Sequence, residues 1–131
     1  MTGPALGGQP CPALHHAYIS QMPTPEEFFA LEMRVGTVVA AEPFPEARKP
    51  SIKLQIDFGA ELGIKHSSAQ LTLRYTPEQL VGRQVVAAVN LGTRRIAGFS
   101  SEVLVLGAMP SATDVVLLQP DTQVANGTRI G

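Results

Sequence analysis

Residues 90–102, NLGTRRIAGFSSE, crowd Asn90, the adjacent Arg94 and Arg95, and Ser100, Ser101 and Glu102 in front of the apolar run VLVL. An arginine offers a planar fork of donors to phosphate oxygens, and amide and hydroxyl groups can read exposed bases or ribose hydroxyls. The stretch therefore has the chemistry of a loop that presents donors beside a groove, with the apolar run as its anchor. The competing reading is a solvated connection in which Arg94 pairs with Glu102. Further cations, Arg34, Arg48, Lys49, Lys53, Lys65 and Arg74, stand on other segments, together with Ser67 and Ser68. A polyanion site requires several of these to converge.

Catalytic chemistry finds little support. His66 lies beside Ser67 and Ser68, but neighbours on a strand point to opposite faces, and Ser68 would be about 7 Å away on the same face. Direct proton transfer needs roughly 3 Å. No Gly-x-x-x-x-Gly-Lys loop occurs. Cys11, His15 and His16 supply three donors at most, within a Gly/Pro-rich segment, which makes a poor metal site. The expectation is a binding protein without catalytic residues, metal or other cofactor.

The formal net charge is −1, which argues against nonspecific polyanion binding by the molecule as a whole. Its distribution is uneven, with net −4 over residues 1–47, +4 over 48–102 and −1 over the remainder. One electropositive surface on a neutral body is the corresponding expectation. The single cysteine excludes an internal disulfide and suits a reducing, cytoplasmic compartment. Apolar stretches reach about seven residues, far short of the ~20 that span a bilayer, so no membrane helix is expected.

Residues 1–25 carry five prolines and three glycines and no Asp, Glu, Lys or Arg. Residues 1–23 are accordingly expected to be a disordered tail ahead of one domain over 24–131. Met22 could serve as a translation start. Thr24-Pro25-Glu26-Glu27 has the form of a capped helix start, and Thr76-Pro77-Glu78-Gln79 repeats it, with Gly82 as the stop. RVGTVVAA (34–41) predicts a first strand with a bulge at Gly36. In SIKLQIDF (51–58) Ile52, Leu54, Ile56 and Phe58 alternate with polar residues, so one face is core and the other wet. IKHSSAQL (64–71) is too polar for anything but an edge or ligand-facing strand. QVVAAVNL begins another strand, EVLVLGA and VVLLQ predict strands covered on both sides, and Asn126-Gly127 marks a tight turn. Six or so short strands with Gly, Pro and Asp turns indicate an all-β protein, a small barrel or sandwich with short helices. The surplus of apolar strand needs a cover, either the N-terminal helix or a second copy of the chain.

Three segments, MRVGTVVAAEPFPEARKPSIKLQIDFG, IKHSSAQLTLRYTPEQLVGRQVVAAVNLGTRRIAGFSSEVLVLG and DVVLLQPDTQVANGTRIG, resemble the CsaA group of small tRNA-binding-domain proteins, across residues 27–131. The resemblance implies a five-stranded OB-fold barrel extended by terminal strands, a homodimer, and a cytoplasmic protein that binds tRNA and is described as an export-related chaperone. The wider family includes domains appended to methionyl- and phenylalanyl-tRNA synthetases. Its pattern falls here on Asn90, Leu91, Arg94, Gly98 and Ser101, with Arg95 and Ser100 as neighbours. The synthetase-type pattern continues Ser-x-Gly-Met, whereas Ser101 is followed by Glu102, Val103 and Leu104; Ala97 replaces a frequent base, and Gly92-Thr93 a Pro-containing turn. The resemblance thus implies tRNA contacts from Asn90, Arg94 and Ser101, with Arg95 and Ser100 beside them, and the reading of the residues themselves adds Arg34, Lys53, Lys65, Ser67 and Ser68. The alternative ligand is an unfolded or precursor polypeptide bound in the same grooves, with Ile96 and Phe99 as contacts.

Overall fold

The structure is a computed structural model that describes residues 22–131. The expected disordered tail, apart from its last two residues, and the Cys11, His15 and His16 group lie outside the described residues. The chain divides into two units between Ala30 and Leu31.

The first holds helix α1 (Pro25–Ala30). Its start is capped as the sequence predicts: the Glu27 amide donates to Thr24 Oγ1 (3.1 Å), and the Thr24 amide donates back to Glu27 Oε1 (2.7 Å). Reciprocal bonds of this kind satisfy donors that the first helical turn leaves without partners.

The second unit is built on β1 (Met33–Pro43), β2 (Ile52–Asp57), α2 (Gly59–Leu62), β3 (Ile64–Ala69), α3 (Pro77–Leu80), β4 (Gln84–Ala88), β5 (Arg94–Ile96), β6 (Phe99–Ser101), β7 (Leu104–Val105), β8 (Gly107–Ser111) and β9 (Asp114–Leu117). Five strands form an antiparallel sheet in the order β3-β2-β1-β4-β7, and β5-β6 and β8-β9 form two separate hairpins. The sheet curls into a nearly closed barrel, because side-chain and main-chain bonds join β3 to the segment just before β7: Glu102 N donates to His66 O (2.7 Å) and Ser67 Oγ to Val103 O (3.0 Å).

Alternation in β2 does what its sequence demands. Ile52, Leu54, Ile56 and the following Phe58 are buried in the main core with Val38, Leu71, Leu80, Val85, Ala87, Val103 and Leu117. All five residues of β4 are buried, because a second cluster of Met33, Val35, Val86 and Ala88 forms on the other face of β1 and β4, packed by Leu106, Val124 and Ile130. The C-terminal segment is strapped there by main-chain bonds, Gly127 N to Val35 O (2.7 Å), Val35 N to Thr128 O (2.9 Å) and Ile130 N to Met33 O (3.0 Å). Gln84 adds a two-way amide contact with the main chain of Val124 (2.7 and 3.1 Å).

Two expectations need correction. The irregularity in β1 falls between Val38 and Ala40 rather than at Gly36. Gly36 instead permits close packing, since a Cβ there would sit 2.6 Å from Ile56 Cγ2 and 2.8 Å from Phe58 Cδ1. The late apolar strands are also not covered on both sides. β7 is two residues long, β8 is exposed over most of its length, and Leu104, Met109 and Leu118 are about half exposed. Periodicity reports that a strand is apolar, whereas the covering element is a matter of tertiary position.

Candidate nucleic-acid interface

Inward placement of Ile52, Leu54 and Ile56 turns Lys53 and Gln55 to the outer face of β2. In β3 the same alternation buries Ser67 and leaves His66 and Ser68 outside. Register sets Glu42 opposite Lys53 and Lys53 opposite Ser68, and one step along sets Gln55 opposite His66. Beyond the β3 edge lies the β5-β6 hairpin, in which Arg94 opposes Ser101, Arg95 opposes Ser100 and Ile96 opposes Phe99. The two hairpin-turn residues, Ala97 and Gly98, both have positive φ (47° and 83°). Such a two-residue turn matches the twist of the flanking strands. The hairpin is tied to β3 by Ser101 Oγ, which accepts from Ser68 N (3.1 Å).

This arrangement brings Phe99 over the outer face. Its ring meets Phe44 at 5.4 Å and 65°, and His66 at 6.0 Å and 81°. Lys53 Nζ lies 4.6 Å from the Phe44 centroid and 5.1 Å from that of Phe99, within reach of a cation–π interaction. Between them opens a cleft of ≈ 210 Å³ lined by Ala40, Glu42, Lys53, Gln55, His66 and Phe99, among others. A second hollow, lined by Ser100 and Glu102, shares His66 and Phe99 as its wall.

Glu102 fixes the imidazole. Its Oε1 accepts from His66 N (2.9 Å) and lies 3.2 Å from His66 Nδ1. The His66 backbone N–H, chiefly, with a smaller contribution from the His66 ring, holds the Glu102 carboxyl below the ordinary carboxylate range. An ionised carboxylate only accepts, so Nδ1 carries the hydrogen shared with Glu102. The competing reading, a solvated connection with Arg94 paired to Glu102, gives way to a His66–Glu102 contact.

The sequence-derived candidates separate into three groups. Lys53 lines the cleft, Ser68 stands opposite it, Ser100 lines the second hollow, and Arg94 and Arg95 stand exposed on the hairpin beside them, whereas Ser101 is buried with its Oγ held by Ser68 N. Ser67 points into the core, and Lys65 takes the same strand parity as Ser67. Arg34 is buried, with Nη1 donating to Gly127 O (2.9 Å), Glu61 at 3.5 Å, and Nη2 paired with Glu32. Its guanidinium clamps the C-terminal strap instead of meeting solvent. Asn90 Oδ1 accepts from the Glu32 amide (2.9 Å). Arg74, another expected cation, forks onto both Asp114 oxygens, with Nη2 to Oδ2 at 2.8 Å. Sequence reasoning weighed His66 only for catalysis, left Gln55 on an unassigned wet face, and passed over Glu42 and Phe44. Strand parity already grouped His66 with Ser68, but nothing local announced that the Phe44 and Phe99 rings would meet across 55 residues.

The sequence pattern of the family described as "Putative tRNA binding domain" matches residues 33–129. The chain belongs to that family. Among solved structures, the tRNA-binding domain here is similar to the chaperone CsaA of Bacillus anthracis, with 59% identity, a TM-score of 0.80, and coverage of 84% of this chain and 99% of that one. It is also similar to the CsaA chaperone protein of Picrophilus torridus (41% identity, TM-score 0.77, 84% and 100% covered). A curated relative, methionine–tRNA ligase of Methanococcoides burtonii, is 36% identical over 105 residues, which are 80% of this chain and 15% of that protein. The chain thus spans about one seventh of the length of such ligases. Among the described residues no helix is long and apolar enough to cross a membrane.

Proposed function

We infer that this tRNA-binding-domain protein is a non-catalytic, cytoplasmic module that binds structured tRNA with the outer face of β2-β3 and the β5-β6 hairpin. The observation that carries the reading is the position of Arg94 and Arg95, both exposed on a hairpin whose partner strand is bonded to the edge of β3. Two forks of donors there can hold phosphates while Lys53, Ser68 and Ser100 meet the strand that follows. Two protomers supply one larger surface: Leu104, Met109 and Leu118 around β7 to β9 are exposed, and an isolated two-stranded ribbon is marginal in water. A second copy covering them accounts for both facts.

The test is a gel-shift titration with tRNA at several salt concentrations, run with and without an unfolded polypeptide as competitor. Each phosphate neutralised contributes about 0.7–0.9 log unit of affinity per log of salt, so Arg94→Ala with Arg95→Ala should flatten the slope by about 1.4–1.8. Unchanged slope and affinity would remove these arginines from the site. Polypeptide binding that survives high salt and displaces tRNA would favour the chaperone reading that the CsaA relatives' names suggest.

A further inference from the structure

Within that RNA-binding reading, we propose that the cleft between His66 and Phe99 is a single-nucleotide site: it takes one unstacked base of the bound RNA, and Lys53 holds the adjoining phosphate. The two rings stand nearly perpendicular (81°) with centroids 6.0 Å apart. A flat heterocycle entering such a corner stacks on one ring and meets the other edge-on, the two arrangements that aromatic pairs favour. Phe44, itself buried, backs Phe99. The cleft volume of ≈ 210 Å³ lies below the range of about 300–1,000 Å³ typical of pockets that engulf a small-molecule ligand. It suits one ring whose remainder continues outside.

The polar lining has matching chemistry. Lys53 Nζ is held over two rings, a compact positive charge at the mouth suited to a phosphate. Glu42, Gln55 and His66 line the same cleft. The carboxylate and the amide oxygen are acceptors for the N–H groups on a base edge. Glu102 is a positioning residue, since its contacts with the His66 amide and ring set the imidazole's orientation. The shared wall also explains the second hollow: Ser100 and Glu102 line it, so a chain leaving the corner passes the Arg94–Arg95 hairpin.

The chain has no tryptophan, so Phe99→Trp places a single indole in the corner, excited selectively above the tyrosine absorption. Binding of tRNA should quench its emission at saturation. Phe99→Leu should weaken tRNA binding by roughly 5- to 150-fold, the equivalent of about 1–3 kcal/mol of base stacking, with the salt slope unchanged because a neutral ring counts no phosphate. Lys53→Met should instead lower the slope by about 0.7–0.9. The single-nucleotide site is overturned if Phe99→Leu, shown folded by its melting curve, binds tRNA as the unaltered protein does, or if the emission of Phe99→Trp ignores saturating tRNA. It is likewise overturned if unfolded polypeptide alone loses affinity. Retained binding by Phe99→Leu alongside loss in the Arg94→Ala, Arg95→Ala protein would sink the base site and leave the tRNA reading standing. Absence of tRNA binding by the unaltered protein would sink both.

Discussion

Ser67 separates a surface role from a structural one. Its side chain is 1% exposed, and Oγ donates to Val103 O at 3.0 Å, joining β3 to the stretch that closes the barrel. Ser67→Ala removes the donor while leaving a carbonyl in the interior, where an unmet acceptor costs about 1–3 kcal/mol. For a body the size of Leu31–Gly131, each kcal/mol moves the melting temperature by about 4–8 °C. The substitution should therefore lower it by roughly 5–15 °C, allowing for partial relaxation around a small side chain. The assay is paired: thermal unfolding by circular dichroism, and tRNA binding across salt at a temperature where both proteins are folded. Affinity and slope should match those of the unaltered protein. An unaltered melting temperature with weakened tRNA binding would refute the reasoning and restore Ser67 to the RNA surface.

Gly36→Ala should destabilise the barrel by about 1–3 kcal/mol or more through overpacking, because contacts of 2.6 and 2.8 Å to Ile56 and Phe58 must open to about 3.5–4.0 Å; a denaturant midpoint at the native value would contradict this. Ala97→Asn should raise stability by about 1 kcal/mol, since φ of 47° is costly for alanine and tolerated by asparagine, and a melting curve shifted downwards would count against the turn geometry. The lowered Glu102 pKa predicts that the His66–Glu102 contact stabilises the fold in a pH-dependent way. A group whose folded pKa is depressed contributes stability that is present above the ordinary carboxylate value, about 4.3 for Glu, and that is lost as pH falls through the lowered one. The stability gap between the unaltered protein and Glu102→Gln should thus be widest near neutrality and close on acidification, and a gap constant between pH 3 and 7 would reject the role assigned to the carboxylate.

Much of the barrel was written locally. Strict alternation over residues 51–58 can be satisfied only by a strand with Ile52, Leu54, Ile56 and Phe58 inward, and the Thr-Pro-Glu-Glu start can close its own cap at Thr24 and Glu27. The NLGTRRIAGFSS stretch likewise carried enough pattern to place Arg94, Gly98 and Ser101 in a nucleic-acid-binding family. Residue types alone were poorer guides to which cations and hydroxyls face a ligand. Ser67 and Ser68 are neighbours of identical chemistry, yet strand parity puts one in the core and the other beside the cleft. Arg34 has the chemistry of a phosphate contact and is held inside by Gly127, Glu61 and Glu32.

Composition and spacing by themselves determined the strand-rich class, the core face of β2 and the helix caps, because each follows from interactions among residues only a few positions apart, whereas the arginine-bearing stretch read as a loop is a β5-β6 hairpin. Tertiary structure alone decided that Phe44, Lys53, His66 and Phe99 share one corner, that Glu102 turns to His66 rather than Arg94, and that Arg34 is a clamp. Those outcomes depend on barrel closure, which brings into contact groups that the chain separates by dozens of residues and assigns each its partner by register.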